Sequence, residues 1–354
     1  MNNHKQLNIS HHLKKWYTIN KRSLPWRDTN NPYKIWISEI ILQQTRVTQG
    51  LEYYLRFIKR FPTVNILAQA SETDVLKEWQ GLGYYSRARN LHATAKKIVS
   101  FYDSKIPDNY NDIISLKGIG DYTAAAILSI AYNKPYAVVD GNVYRVLSRL
   151  FAIDTPVDSS LGKKEFKEIA YNLLDEINPG THNQALMEFG ALHCTPFQPL
   201  CKSCPLQDIC ISKELNKQFD FPVKQKKSKV RSRYFNYFNV NYNGYSFFNK
   251  RIGKDIWKNM YEFPLIETDE EVDLTQLFEA DSFKTLFANA NVAFILKQTQ
   301  VKHILTHQHI YTNFYEVEAT KLNEYFVSNF LKIEIDEIHT LPMPRLIHRY
   351  LEYK

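Results

Sequence analysis

Four cysteines within 17 residues constrain the fold of this 354-residue chain more than any other feature. Cys194, Cys201, Cys204 and Cys210 follow the spacing C-x6-C-x2-C-x5-C, and the chain has no cysteine elsewhere. Disulfides typically connect distant segments of secreted proteins, whereas clustered thiols indicate a metal site. The two-residue loop in the C-x2-C pair reverses the chain, so both thiols can reach one metal. Four thiolates suit either a zinc ion or an iron–sulfur cluster, and the chemistry alone leaves both open.

The rest of the composition is typical of a folded protein. Hydrophobic residues make up 44% of the chain, enough to build a packed core. No run of about 18 apolar residues is present, which argues against a membrane span, and the N-terminus lacks the apolar segment of a signal peptide. We therefore expect a cytoplasmic protein with no membrane partner, and we separately expect it to be a monomer.

The net charge of +8 is unevenly distributed along the chain. Residues 1–223 carry a surplus of six positive charges, and residues 224–233 carry six more without any acid. Residues 234–354 carry a net charge of −4. A concentrated basic surplus favours a polyanionic partner such as nucleic acid, although a solvated basic surface would give the same count.

Residues 1–222 are predicted to be an all-α domain. The apolar spacing predicts one long helix over 33–60, stopped by Pro62. Shorter helices are predicted roughly over 73–80, 87–101, 122–132, 141–150, 163–176 and 182–192.

After the basic linker, residues 223–233, the pattern changes to that of strands. The aromatic stretch 234–250 contains Asn243-Gly244, which is a hairpin signal. Further strands are predicted at 291–306 and 309–319. Residues 234–354 are therefore predicted to form an α+β domain.

A Gly-x-Gly turn, Gly118-Ile119-Gly120, precedes an apolar helical run. Such a turn can hold the phosphates of a free nucleotide, contact nucleic-acid phosphates through backbone N–H groups, or simply join two helices. A dinucleotide fingerprint needs a preceding strand and a third glycine, and this sequence has neither.

Six ordered motifs give the chain a specific resemblance to a known family. They are LPWRDTNNPYKIWISEIILQQTRV (24–47), GLGYYSRARNLH (81–92), LKGIGDYTAAAILS (116–129), VVDGNVYRVLSRL (138–150), NQALMEFGALHCT (183–195) and the cysteine loop. Over residues 12–211 the chain resembles the MutY-type adenine DNA glycosylases of the endonuclease III-like, helix-hairpin-helix superfamily. The C-terminal part resembles that family's Nudix-like domain more loosely, through IWKNMYEFP (256–264), LTHQH (305–309) and LPMPRLIHRYL (341–351).

This resemblance implies a multidomain protein, with an all-α helix-hairpin-helix glycosylase domain followed by an α+β Nudix-like domain. It also implies that the cysteine loop, residues 194–210, holds a 4Fe–4S cluster. The implied activity is base excision repair. The enzyme would hydrolyse the N-glycosidic bond of adenine paired with 8-oxoguanine or guanine in double-stranded DNA, after flipping the base out of the helix.

Cleavage of an N-glycosidic bond needs an acid for the departing base and an anion for the cationic sugar. Glu39 could be a solvated helix residue, but an apolar setting would raise its pKa and make it the acid. Asp140 could serve only as a helix N-cap, but the resemblance makes it the anion that stabilises the sugar. Asn142 matches a family residue that hydrogen-bonds near the sugar.

The resemblance also assigns residues to the adenine pocket and to the segment that enters the vacated base stack. The pocket residues are Trp26, Arg27 and Glu188. The wedge segment contains Gln43 and Gln44.

Other DNA contacts follow from the same resemblance. Tyr84 matches a residue packed beside the mispaired purine. Gly118 and Gly120 would bring backbone N–H groups to a DNA phosphate. Lys117 stands where the family commonly has proline, and it would add a positive charge at that phosphate.

Tyr122 distinguishes between the activities of the superfamily. In the bifunctional relatives this position carries a lysine that attacks the sugar as a Schiff-base nucleophile, which a tyrosine cannot do. We therefore predict a monofunctional glycosylase that leaves the strand uncut.

The C-terminal domain departs from the family pattern in places. Thr306 and His307 match the family's Phe-Ser-His motif, which senses 8-oxoguanine, but Leu305 replaces the aromatic residue. The usual double glycine before EFP is Lys258-Asn259 here. The Nudix hydrolase signature REx2EExG is absent from the sequence, so we expect no pyrophosphatase activity.

Two other functions stay open on the sequence. One is a relative that excises thymine or oxidised pyrimidines with the same acid–base frame. The other is a catalytically silent iron–sulfur protein that binds DNA.

Overall fold

The computed structural model describes residues 3–225 and 230–352, so residues 226–229 of the predicted linker lie outside the described residues. The chain forms two compact units. The first contains Met1–Gln69 and Asn90–Lys226, and the second contains Ala70–Arg89 and Lys227–Lys354. The first is helical and the second contains a mixed sheet, which confirms the predicted fold class. The domain boundary near residue 222 stays a prediction.

The helical part of the chain begins near the N-terminus and ends after the cysteines. Its helices are α1 (Asn3–Asn20), α2 (Pro32–Leu42), α3 (Val47–Arg60), α4 (Val64–Gln69), α5 (Glu72–Glu78), α6 (Ser86–Phe101), α7 (Tyr110–Ile114), α8 (Asp121–Tyr132), α9 (Gly141–Phe151), α10 (Ser160–Leu173), α11 (Pro179–Leu192) and α12 (Ile211–Glu214). Of these, α5 lies in the second unit and α6 begins there. Within the described ranges, no helix is both long enough and apolar enough to cross a membrane.

The prediction of a single helix over 33–60 is wrong. Gln44 has a left-handed backbone with a φ of 55°, which interrupts the helical hydrogen bonds between α2 and α3. Apolar spacing alone did not reveal the break, because both helices bury apolar side chains on either side of it. α2 begins at a strong cap, where the Asn31 side chain accepts hydrogen bonds from two backbone N–H groups.

The predicted glycine turn joins α7 to α8. Gly118 has a φ of 83°, and a Cβ at this position would lie 2.8 Å from the Cβ of Asn90. Both the backbone and the available space therefore require glycine. Thr94 Oγ1 donates a hydrogen bond to the carbonyl of Lys117 at 2.8 Å, which attaches the turn to α6.

The core of the first unit lies where α1, α9, α10 and α11 pack together. Its buried side chains include Leu13, Leu147, Phe166 and Phe189. α9 and α11 approach so closely that a Cβ on Gly190 would lie 2.7 Å from the Cβ of Asn142. The side chains at the start of α9 are therefore held against a rigid neighbour.

The second unit is organised around a mixed sheet. Its strands are β1 (Arg231–Tyr242), β2 (Tyr245–Lys250), β3 (Tyr261–Glu262), β4 (Leu265–Thr268), β5 (Asn291–Ile304), β6 (Gln308–Lys321) and β7 (Leu331–Glu334). Within the described part of the chain, the order is β3-β2-β1-β6-β5, with β4 paired to β1 and β7 paired to β2. β1 and β6 run parallel, and the other pairs are antiparallel. The predicted hairpin at Asn243-Gly244 is confirmed.

Both faces of this sheet are covered, because successive residues of β1 point to opposite sides. Phe238 packs against Phe283 and Phe287 of α14 (Asp281–Phe287). Its neighbour Tyr237 stacks on Phe314, which stacks in turn on Tyr350 of the C-terminal helix. The remaining helices of this unit are α13 (Leu274–Glu279), α15 (Glu324–Asn329) and α16 (Arg345–Glu352).

Candidate active site and cysteine centre

Glu39 and Tyr122 meet where α2 packs against α8. The Tyr122 hydroxyl donates a hydrogen bond to Oε2 of Glu39 at 2.6 Å, and it lies 3.7 Å from Sδ of Met187. Glu39 is only 7% exposed, because both helices bury apolar residues on the faces that meet. Two residues that the sequence singled out for different reasons therefore form one pair, in which Glu39 is buried and Tyr122 is partly buried.

This environment raises the pKa of Glu39 to a value that suits proton donation near neutral pH. Burial raises the pKa of Glu39 to about 7, the charge of Asp140 adds to the rise, and the Tyr122 hydrogen bond and the charge of Arg27 oppose it. A carboxyl with this pKa still holds a proton in a large fraction of molecules at neutral pH. Burial and the adjacent Glu39 raise the pKa of Tyr122 well above its ordinary value, so its hydroxyl stays a neutral donor.

Asp140 is the N-cap of α9. Its Oδ1 accepts hydrogen bonds from the backbone N–H groups of Asn142 at 2.9 Å and Val143 at 2.7 Å, and its Oδ2 accepts from Nδ2 of Asn142 at 2.8 Å. Burial raises the pKa of Asp140, whereas these three hydrogen bonds and the charge of Arg145 oppose the rise. The two carboxyl groups thus lie in different settings, since Glu39 accepts from a hydroxyl and Asp140 accepts from three N–H donors.

The loop before Asp140 is held by a buried side chain of α11. Asn183 is 1% exposed, and its Oδ1 accepts a hydrogen bond from the N–H of Val138 at 3.1 Å. Its Nδ2 donates to the carbonyl of Tyr136 at 2.8 Å and to Oγ of Ser129 at 2.9 Å. The position of Asp140 therefore depends on contacts from both α8 and α11.

Two arginines enclose the carboxylate of Glu188. Arg27 donates to its two oxygens at 2.7 and 2.6 Å, and the Arg22 side chain donates to them at 2.8 and 2.5 Å. The backbone N–H of Arg22 adds a fifth bond at 3.0 Å. Burial alone would raise the pKa of Glu188, but these hydrogen bonds hold it at about 2. Glu188 is therefore a fixed anion and an acceptor, and it cannot serve as an acid near neutral pH.

The remaining predicted pocket and wedge residues lie along the same part of the first unit. Trp26 is buried and packs edge-on against the ring of Tyr54 at 5.0 Å between centroids. Gln43 ends α2 and donates from Nε2 to Oγ1 of Thr123 at 3.2 Å. Gln44 is exposed in the left-handed break between α2 and α3.

The glycine turn presents an exposed, basic surface. Lys117, Gly118 and Gly120 are all exposed. Gly120 is the N-cap of α8 and provides no capping side chain for the first N–H groups of that helix. A helix N-terminus with uncapped N–H groups beside a lysine suits a phosphate.

A chain of hydrogen bonds runs from Asp140 to the cysteine loop. Asn142 donates to Asp140 and accepts at Oδ1 from Nη2 of Arg145 at 2.9 Å. Nε of Arg145 donates to the carbonyl of Cys194 at 2.8 Å, and Nη2 also donates to the carbonyl of Gly190 at 2.7 Å. The first predicted metal ligand and the predicted sugar-stabilising carboxylate are thus three contacts apart.

The four cysteines line one cavity of about 30 Å³. Burial raises the pKa of the thiols of Cys194 and Cys201, and it raises that of Cys204 to about 12. The charge of Cys210 adds to the rise in the pKa of all three of these thiols. Within the described residues, no three His, Cys, Asp or Glu side chains are grouped to hold a single metal ion.

Donors around the sulfurs suit an anionic thiolate group. Nη1 of Arg149 lies 3.5 Å from Sγ of Cys194, and the backbone N–H of Leu206 donates to Sγ of Cys204 at 3.4 Å. Arg149 is 2% exposed and also donates to the carbonyls of Thr195 and Pro196. By their chemistry, the four soft ligands and these N–H groups are the donors that an iron–sulfur cluster or a zinc ion takes, although the described side chains are not grouped around a single ion.

Three predicted site residues belong to the second unit. The hydroxyl of Tyr84 lies 2.6 Å from Oγ1 of Thr306, so the structure brings these two side chains together. His307 is the neighbour of Thr306 and is exposed. Tyr84 itself has a left-handed backbone with a φ of 49°.

Sequence reasoning missed three arginines that shape the first unit's site. Arg145 and Arg149 lie on α9, and both interrupt an otherwise apolar helix four residues apart, which is a signal that could have found them. Arg22 carries no such signal, because a basic residue in a polar loop is unremarkable in a sequence. Its role is visible only once α11 brings Glu188 to that loop.

Comparison with known proteins adds two family matches. Residues 37–170 match the family described as HhH-GPD superfamily base excision DNA repair protein. Residues 237–353 match the NUDIX domain.

Curated relatives share most of the chain. A protein named adenine DNA glycosylase from Buchnera aphidicola subsp. Baizongia pistaciae is 36% identical over 305 residues, which cover 84% of this chain and 82% of the relative. A protein of the same name from Buchnera aphidicola subsp. Acyrthosiphon pisum is 32% identical over 95% of both chains. The human protein of that name is 41% identical over 57% of this chain and 39% of its own length.

Solved structures resemble the helical part. A thermostable thymine-DNA glycosylase aligns with a TM-score of 0.56 and 28% identity, over 60% of this chain and 98% of its own. A non-covalent endonuclease III–DNA complex aligns with a TM-score of 0.51 and 21% identity, over 60% of this chain and 97% of its own, which supports the fold alone.

Proposed function

The chain belongs to the adenine DNA glycosylase family, and from this premise we propose that it removes adenine paired with 8-oxoguanine or guanine from duplex DNA without cutting the strand. The family membership makes it a DNA glycosylase of base excision repair. The opposite base, the single activity and the roles of individual residues are our proposal.

The observation that carries the proposal is the hydrogen bond between the buried Glu39 and Tyr122. A base leaves a nucleoside more easily when its ring is protonated, because the departing group is then neutral. Glu39, with a pKa of about 7, can supply that proton, and by resemblance it goes to N7 of adenine. Tyr122 holds the carboxyl in place with a hydroxyl that keeps its own proton.

Asp140 is suited to the opposite task. As the glycosidic bond breaks, positive charge develops on the sugar, and a fixed carboxylate nearby lowers the free energy of that transition state. The three N–H donors to Asp140 favour its charged form and fix its orientation. Water then adds to the sugar, and the deprotonated Glu39 can accept the proton that this water gives up.

Glu188 is proposed to shape the adenine pocket through the two arginines that it holds. Its carboxylate accepts five hydrogen bonds and is 1% exposed, so it orients Arg22 and Arg27 and has no acceptor site left for the base itself. We include Arg22 in the pocket because it shares this carboxylate with Arg27.

Tyr122 is the reason to expect base removal without strand cleavage. A Schiff base needs an amine, and the side chain that faces Glu39 from α8 is a phenol. The proposed products are free adenine and an intact strand with an abasic site.

Recognition of the opposite purine is assigned to Tyr84, Thr306 and His307. The contact between Tyr84 and Thr306 supports a joint role, since both would face the same base. Lys117, Gly118 and Gly120 are proposed to hold a backbone phosphate through N–H groups and charge.

A 4Fe–4S cluster is proposed for the four cysteines, because they fit it chemically and the family resemblance favours it over zinc. Cys194, Cys201, Cys204 and Cys210 would be its ligands. The cluster would order the loop from Cys194 to Cys210 and supply no step of base removal. Analysis of the purified protein should give about four iron atoms per chain and no stoichiometric zinc.

The test is single-turnover excision from duplexes that carry adenine opposite 8-oxoguanine, guanine, cytosine or thymine. We expect adenine release opposite 8-oxoguanine and guanine, and little opposite the pyrimidines. A duplex with thymine opposite guanine tests the alternative raised by the similarity to a thymine-DNA glycosylase. Thymine release without adenine release would reject the proposed substrate.

Two variants test the mechanism. Glu39→Gln should abolish base release while duplex binding persists, whereas Glu52→Gln, on the exposed face of α3, should behave like the unmodified protein. Reduction with borohydride during turnover should trap almost no protein–DNA adduct. Efficient trapping would show that an amine attacks the sugar and would refute the single activity.

A further inference from the structure

The loop that carries Tyr84 is built on left-handed backbone. Gly81, Gly83 and Tyr84 have φ values of 94°, 80° and 49°. Such a conformation is costly for a residue with a large side chain and persists only where surrounding contacts hold it. Trp79 provides one such contact from within the loop, since its Nε1 donates to the carbonyl of Gly83 at 3.1 Å.

A turn between β2 and β3 has a similar backbone. Trp257 and Asn259 have φ values of 57° and 65°, on either side of Lys258. Asparagine tolerates this region, but a tryptophan rarely adopts it. No residue of this turn from 257 to 259 is a glycine, so the chain forms it without the residue that favours such a backbone most.

Side chains from α5 and α6 hold this turn. Asn259 donates from Nδ2 to Oε1 of Glu72, the first residue of α5. Arg89, near the start of α6, donates from Nη1 to the carbonyl of Lys258 at 2.9 Å. Burial lowers the pKa of Arg89, and the nearby charge of Glu72 opposes the shift. We call these four residues, Glu72, Arg89, Lys258 and Asn259, the clasp.

The clasp connects to the predicted lesion-recognition residues by two routes. Along the chain, α6 begins two residues after Tyr84. Across the fold, the ring of Trp257 contacts that of His303 with 5.8 Å between centroids, and His303 lies three residues before Thr306. The hydrogen bond between Tyr84 and Thr306 joins the ends of these two routes.

We propose that Glu72 and Asn259 are positioning residues for recognition of the base opposite adenine, because their hydrogen bond holds the loop of Tyr84 against Thr306. The inference rests on the proposed function only for its effect on substrate choice. Asn259 provides a side-chain bond that a glycine at this left-handed position could not make. The pair acts through Tyr84 and Thr306.

Variants of Asn259 test the clasp without disturbing the backbone. Asn259→Gly removes the amide but keeps a residue that tolerates the left-handed turn. Asn259→Asp places a carboxylate against Glu72 and should weaken the clasp further. Combining Glu72→Gln with Asn259→Asp exchanges donor and acceptor across the pair and should restore the contact. The control is Asn289→Gly, since Asn289 has a φ of 58° on an exposed loop of the same unit.

The first readout is hydrogen–deuterium exchange of the full, cluster-containing protein without DNA. Asn259→Gly and Asn259→Asp should speed exchange in segments 79–85 and 303–308, and the double variant should return it towards normal. If Asn259→Gly exchanges like Asn289→Gly, or if the double variant restores nothing, the clasp is refuted.

The second readout is the ratio of single-turnover excision rates opposite 8-oxoguanine and opposite guanine. Loss of one hydrogen bond to a charged partner should reduce this ratio about tenfold in Asn259→Gly, and the double variant should recover most of it. An unchanged ratio would overturn the positioning role. If the unmodified protein showed no preference for 8-oxoguanine, the proposed lesion recognition would fail, and the exchange data would still decide whether the clasp exists.

Discussion

The hydroxyl of Tyr122 donates a hydrogen bond of 2.6 Å to Oε2 of the buried Glu39, so the two residues form one acid–donor pair. This bond favours the charged form of Glu39, whereas burial and Asp140 favour the neutral form. Burial prevails, and the pKa of Glu39 settles at about 7. The pKa of the proposed acid is therefore set by opposing effects, each of which can be changed by one substitution.

Replacing Tyr122 with phenylalanine should move the pH dependence of base release. The hydrogen bond lowers the pKa of Glu39, so its removal should raise that pKa further. A general acid works in its protonated form, so the rate should decline at a higher pH, by up to about one unit. Single-turnover rates between pH 5.5 and 9 measure the shift. A decline that moves to lower pH would contradict this account of Tyr122.

Glu39→Gln should stabilise the fold while it abolishes base release. Because folding raises the pKa of Glu39, the protonated carboxyl contributes fully to the stability of the folded protein below about pH 4.5. This contribution is lost as the pH rises through about 7. The glutamine variant has no such loss. It should therefore gain about 1–3 kcal/mol over the unmodified protein at pH 8 and much less at pH 4.5. Denaturant unfolding at both pH values tests this, and equal gains at both would contradict it.

Much of the architecture could be predicted from the sequence because it depends on local signals. Apolar spacing located most helices, and Asn243-Gly244 located the β1–β2 hairpin, since each signal acts over a few neighbouring residues. The break at Gln44 escaped prediction because the apolar spacing of α3 continues that of α2. A change in the backbone angles of one residue does not alter the spacing of the apolar residues in the sequence.

The site was predictable only in part, for a different reason. Motifs pointed to Glu39, Asp140 and Glu188 one at a time, but their partners come from distant parts of the chain. Arg22 reaches Glu188 across 166 positions of sequence. Such pairs arise when helices pack, and no local pattern reports which side chains will meet.

Glu188→Gln should destabilise the first unit. Removing the charge leaves Arg22 and Arg27 without their shared anion, and Arg27 is largely buried. The expected loss is about 2–4 kcal/mol at pH 7, reduced from that of a fully buried pair because Arg22 is partly exposed. The pKa of Glu188 is held at about 2, so its contribution is present above about pH 4.5 and declines as pH falls towards 2.

Unfolding by denaturant at pH 7 and pH 3.5 measures this dependence. The difference between Glu188→Gln and the unmodified protein should be smaller at pH 3.5. Exposed Glu168→Gln on α10 serves as the control and should cost little at either pH. A larger difference at the lower pH would reject the ion-pair account.

The path from Asp140 to Cys194 predicts that two neighbouring substitutions will differ in their effects. Asn142→Ala removes the donor to Oδ2 of Asp140 but leaves the two backbone N–H groups that cap α9. It should therefore slow base release about tenfold or more and leave the iron content unchanged. Arg145→Leu removes the donor to Asn142 and also leaves the carbonyls of Gly190 and Cys194 without their bonds from this guanidinium.

Arg145→Leu should consequently lower both the rate of base release and the iron content, because the first cysteine of the loop loses one of its hydrogen bonds from α9. Iron analysis, single-turnover excision opposite 8-oxoguanine, and thermal unfolding separate the two cases. Lys163→Leu on the exposed face of α10 controls for loss of a surface charge. If Asn142→Ala lost iron, or if Arg145→Leu kept both the rate and the iron, then the hydrogen bonds between Asp140 and the cysteine loop would not couple the two sites.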